Sequence, residues 1–187
     1  LRFSNDARSL GESEDDANVI LRLSPRLASK IKSGTLQQID QHENHLLDWS
    51  CRLFVAQRTE FILISNTASM FSCVFPSVEV ADCDRLVDRM LVALRVLMFD
   101  NEQEANFHEL AKVSAVGVTI ARSRDRSLAM SMNDHVHSTK LYLADGLNTD
   151  EVGQRLNNTR MAILTPSRRR HFVMPKDVFI DLSRSRL

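Results

Sequence analysis

A chain of 187 residues with 43% hydrophobic and 26% charged residues has enough apolar material for one domain with a sizeable core. Its formal net charge is zero, so no global field draws it to nucleic acid or to an anionic membrane. No stretch approaches the ~18 apolar residues of a membrane span, and no basic-then-apolar leader opens the chain. Cys51, Cys73 and Cys83 form an odd set without C-x-x-C spacing, which excludes a zinc site made of cysteines alone and points to a reducing, cytoplasmic setting.

In chain order, residues 1–17 are polar and acidic and read as a flexible N-terminal extension, with a single domain expected over 18–187. "NVILRL" (18–23) reads as a strand. "SPRLASKIKSG" (24–34) reads as a helix, with Ser24 as cap, Pro25 at the first position and Gly34 at the stop. Residues 35–48 lack periodicity and read as a connection with one turn of helix. "WSCRLFVAQ", "EFILISN" and "SMFSCVF" are apolar runs parted by turn-prone residues, so 49–75 reads as a three-strand meander ended by Pro76. From Asp82 to Met98, Leu86, Val87, Met90, Leu91, Leu94, Leu97 and Met98 follow helical spacing, with Asp82 as the cap. A shorter helix is expected over 102–112.

"VSAVGVTIA" (113–121) and "SLAMSM" (127–132) then read as a hairpin about a polar turn. A helix capped by Ser131 or Asn133 should run to about Ala144, with Gly146 as its left-handed stop. A further helix capped by Thr149, a short apolar run ("RMAILTP") and a last strand or helical turn ("DVFIDL") complete the chain. The pattern implies an α+β fold: a mainly antiparallel sheet, three-strand meander plus hairpin, with helices packed on it.

Charge is unevenly spread. Residues 1–100 carry a net −3 and residues 101–187 a net +3, with +5 from Arg160 onward. Arg168, Arg169 and Arg170, with Lys176, Arg184 and Arg186, form the one basic cluster, with Phe172 alongside. That combination suits phosphates and bases, against the plainer reading of a solvated tail. No zinc-finger spacing and no RNP-type aromatic signature accompanies it.

Four places, "VILRLSPRLASKIK", "LLDWSCRLFVAQRTEFILISNTASMFSCVFP", the helix after it and "RSLAMSMNDHVHSTKLYL", resemble one uncharacterised bacterial family, domain of unknown function 6933. The Asp-Trp pair and the "RS…SMND" block are the specific parts. Leu47 stands where the family has Gly, and Asp125 where it has Asn. The resemblance implies an intracellular α+β domain and carries no activity with it.

The block Arg126, Ser127, Ser131, Asn133 and Asp134 reads first as helix capping, since Ser131 and Asp134 make an S-x-x-D pair. An Arg and hydroxyls at a helix start are also a ready anion site. Asp48 and Trp49 divide the same way: a turn acceptor and a core anchor, or an acid beside a stacking platform. Arg126 is a candidate partner for Asp48 or Asp134. His42 with His45, and His135 with His137, are metal-ligand pairs only if they converge in space, so no metal is assigned and no cofactor is expected. No G-x-S-x-G elbow or Gly-rich phosphate loop is present, so no catalytic residue is assigned. The leading expectation is a non-enzymatic binding protein for an anionic partner such as nucleic acid. The rivals are a small-molecule enzyme built around Asp48 and the Arg126–Asp134 block, and an oligomer-forming structural protein that uses the 82–98 helix.

Overall fold

The computed structural model describes residues 18–123, 126–164 and 170–184, and leaves the side chains of 126, 162–164, 170, 171 and 183 out of that description. The expected N-terminal extension over 1–17 lies outside the described residues, as do Arg168, Arg169 and Arg186.

The first strand, β1 (Val19–Leu23), is buried along its whole length. It leads through Ser24 into α1 (Pro25–Lys30), which has the expected proline in its first turn but no bond from the Ser24 side chain to the helix. A single 3-10 turn, His45–Leu47, precedes the meander β2 (Asp48–Ala56), β3 (Thr59–Asn66) and β4 (Ser72–Pro76). Helix α2 (Cys83–Asp100) starts where the side chain of Asp82 accepts from the Arg85 amide, and its helically spaced leucines and methionines are buried. Helix α3 (Glu104–Val116) and strand β5 (Val118–Arg122) follow.

The expected hairpin is not formed. Residues 113–116 complete α3, and "SLAMSM" lies inside the 19-residue helix α4 (Arg126–Ala144). The alternation over 127–132 is a short coincidence. Over the longer window Met132, His135, Thr139 and Leu143 fall on one buried face at spacings of three and four. Ser131 and Asn133 are therefore interior helical residues and not caps. Gly146, with φ +89°, closes α4: its amide donates to Leu143 O and the Leu147 amide to Tyr142 O.

Helix α5 (Thr149–Asn158) is capped by Asn148, one residue before the expected Thr149, because Asn148 and Glu151 complete a reciprocal capping box. A two-stranded antiparallel ribbon, β6 (Met161–Leu164) with β7 (Arg170–Val173), precedes α6 (Pro175–Arg184). The "DVFIDL" segment is thus helical.

The main sheet is five-stranded in the order β4-β3-β2-β1-β5. It is mixed, where a mainly antiparallel sheet was expected: β1 runs parallel to both neighbours, β2 and β5, while the meander is antiparallel. A strand buried on both faces suits this position, since parallel strands are covered above and below. The α+β class stands.

One face, with Leu21, Trp49, Cys51, Ile62, Ile64 and Phe75, packs against α1, α2, α3 and α6. The other, with Phe54, Phe61, Leu63 and Val74, packs against α4 and α5. Burial pushes the Cys51 and Cys73 thiols well above their usual range, so both act as small core hydrophobes. Along the β4 edge, the Asn157 amide donates to Ser72 O at 2.9 Å and accepts from Ser72 N at 2.7 Å. It stands in for a neighbouring strand at an edge that would otherwise be open.

Candidate functional site

Asp48 is fully buried, and its carboxylate is fully coordinated within the chain. Arg22 Nε donates to Oδ1 at 2.8 Å and Arg22 Nη2 to Oδ2 at 2.7 Å. The Thr67 hydroxyl donates to Oδ1 at 2.8 Å and the His42 amide to Oδ2 at 3.1 Å. Two oxygens with four donors have no free lone-pair direction. The rest of the Arg22 fork donates to Ile39 O and Asp40 O, so the connection between α1 and β2 is drawn over the ion pair. On its way that connection passes the outer edge of β5, where Gln37 O accepts from the Arg122 amide.

The partner of Asp48 is therefore Arg22 and not Arg126. The signal was present in the sequence: an arginine inside the apolar run "VILRL" has to meet an anion when that run is buried.

Trp49 is buried as the anchor of the main core. Its ring N–H donates to Leu46 O at 2.8 Å, and its ring lies 5.9 Å from that of Phe179 on α6. No face of it is open for stacking a ligand.

The Arg126–Asp134 block is spread around α4. Ser127 and Ser131 are half-buried, while Asn133 and Asp134 are exposed on the side turned away from the sheet. Asp134 is exposed while Asp48 is buried. The side chain of Arg126 is not described; its backbone opens the helix.

His135 is buried inside this layer. Its Nδ1 lies 3.0 Å from Ser72 Oγ, which is also 2.7 Å from Ser65 Oγ, and its Nε2 lies 3.1 Å from Met161 Sδ. Burial lowers its pKa to about 4, so it is neutral at physiological pH. His137 is exposed; likewise His42 is buried and His45 exposed. Each pair is thus divided, and among the described residues no group of three His, Cys, Asp or Glu could hold a metal ion.

Of the basic cluster, Arg170, Lys176 and Arg184 fall on described elements, as does Phe172. Arg170 begins β7, Phe172 is 71% exposed, and Lys176 is half-buried in the first turn of α6. Arg170 pairs across the ribbon with Leu164, and Phe172 with Ala162.

The model of the family described as domain of unknown function DUF6933 matches residues 20–178. The chain belongs to that family. The DUF6933 match takes in both sequence features singled out above, the Asp-Trp pair and the α4 block, and it ends within α6. No curated protein matches the chain. Among the described residues, no helix is long and apolar enough to cross a membrane. In this DUF6933 chain the Asp-Trp pair performs structural work, since every polar atom of it has a partner inside the fold.

Sequence reasoning did not single out Arg22 or Arg52. Arg52 interrupts the apolar run of β2, is half-buried, and donates from Nη1 to Ala129 O of α4 at 3.1 Å.

Proposed function

We propose that this protein is a non-enzymatic binding module for an anionic partner, with nucleic acid the leading candidate, and that it engages that partner through the β6–β7 ribbon and the start of α6. The observation that carries this reading is Phe172, 71% exposed on a strand that begins with Arg170 and leads to Lys176. A large apolar ring left in water, in a segment rich in arginine and lysine, is the composition of a base-stacking, phosphate-neutralising surface. A two-stranded ribbon also has the width to enter a major groove. Arg168 and Arg169 precede Arg170 in sequence and add to the positive charge of the segment.

The test is a comparison of variants in fluorescence anisotropy with labelled single- and double-stranded oligonucleotides. Replacing Arg168, Arg169 and Arg170 together by Ala should abolish binding at low salt. Phe172→Ala should weaken single-strand binding by about 1–3 kcal/mol, with a smaller effect on duplex. Wild-type binding that all of these variants retain would rule out the ribbon.

A second reading is favoured by α2. Val92 (59% exposed), Val96 (39%) and Phe99 (37%) form a stripe on its outer side, which suits contact with a second copy of the chain. A solution mass that stays at 21.3 kDa at high concentration would remove it.

A further inference from the structure

The parallel half of the sheet contains an arrangement that the ribbon does not involve. Strands β1 and β5 are neighbours and run the same way. The helices that follow them leave on opposite faces: α1 packs Leu27 into the Trp49 core, and α4 packs Met132 and Leu143 into the other. Where the helices that follow neighbouring parallel strands diverge in this way, open α/β sheets bind their ligands at the carboxyl ends of the strands.

Two residues at that point, Arg52 and Ser24, have donors without a partner among the described residues. Leu23 is in register with Cys51 on β2 and with Arg122 on β5, so the next residue, Ser24, lies beside Arg52 and Ser123 at the strand ends. Arg52 is on the α4 side, where Ala129 O takes one of its N–H groups, and no carboxylate pairs with it among the described residues. Ser24 sits at the cap position of α1, where a serine hydroxyl ordinarily bonds the first amides of the helix. Its Oγ is instead buried without a hydrogen-bond partner. A buried donor left unmatched in this way is destabilising unless something meets it. Arg26 and Lys30 on α1 do not compete for a ligand here, because both are paired with Glu60.

We propose that Arg52, Ser24 and Ser123, where α1 and α4 part, bind the phosphoryl group of a small molecule. The planar guanidinium fork matches two phosphoryl oxygens, and the serine hydroxyls donate to the others. The site takes one phosphoryl group and not a polymer, so it is independent of the ribbon.

The test uses inorganic phosphate as the probe, followed by amide chemical shifts in a phosphate titration of the full chain. The expected result is saturable binding with shifts at Ser24, Arg52, Ser123 and Ala129. Arg52→Gln should weaken it roughly tenfold or more, Arg52→Lys less, and Ser24→Ala by several-fold. Ser24→Ala removes no bond within the chain, so it decides the matter if Arg52→Gln fails to fold. Replacing Arg168, Arg169 and Arg170 by Ala should leave phosphate binding unchanged, which separates failure of this site from failure of the ribbon. Absence of saturable shifts at tens-of-millimolar phosphate, or binding unchanged in Ser24→Ala and Arg52→Gln, would overturn the proposal.

Discussion

Asp48 and His135 show how far a polar residue type can mislead about chemistry. Asp48 is a carboxylate held by a fully buried guanidinium, so removing it leaves Arg22 charged and unpaired in the core. Asp48→Ala should therefore cost about 3–5 kcal/mol, read as a drop in the denaturation midpoint. A loss below 1 kcal/mol would mean that the pair is solvated and the structural account wrong.

His135 makes a prediction about acid. Burial lowers its folded pKa to about 4, below the ordinary value of 6.5. Between those values the unfolded chain binds a proton that the folded chain refuses, so stability falls as pH drops through that window, by up to about 3 kcal/mol. His135→Leu should flatten the dependence of the urea midpoint on pH between 6.5 and 4. An unchanged slope would show that other groups set it.

At the scale of elements, the turn between β2 and β3 carries strain that a single change can relieve. Gln57 and Arg58 both have positive φ, 47° and 64°, in a two-residue hairpin connection that ordinarily takes Asn-Gly. Arg58→Gly should raise stability by about 0.5–1 kcal/mol in spite of the added freedom of the unfolded chain, checked by thermal melting. Gln57 is less replaceable, since its amide donates to Leu143 O at the end of α4.

The elements legible in the sequence were those whose pattern outlasts chance. The seven spaced apolar residues of α2 and the three apolar runs of the meander are long enough to impose a period. The α4 start was misread because six alternating residues fit a strand as well as a helix. Parallel pairing of β1 was not legible either: its neighbours in the sheet, β2 and β5, lie far along the sequence, and no local pattern encodes which edge a strand joins. The candidate site was partly legible. The basic run 168–170 stands out in composition. Arg22 and Arg52 do not, because their significance comes from burial, and Ser24 becomes notable only once its hydroxyl is seen without a partner.

For the whole molecule, the proposal separates a structural polar network from a binding segment. The Arg22–Asp48 network ties the α1–β2 connection to β1 and β2, while Arg170 and Lys176 belong to β7 and α6. If α2 forms an interface, Val92→Glu should reduce self-association without lowering the melting temperature by more than a degree or two, because that side chain is 59% exposed in the single chain. The molecule carries no net charge, so any affinity for polyanions has to come from this local concentration of arginine and lysine.

The most direct test is the salt dependence of binding to short single- and double-stranded DNA and RNA. A surface that neutralises about three phosphates predicts measurable binding at low salt that weakens, for a fourfold rise in salt concentration, roughly fortyfold on duplex DNA and roughly twentyfold on single strands. Absence of binding at low salt, or affinity indifferent to salt, would contradict the account.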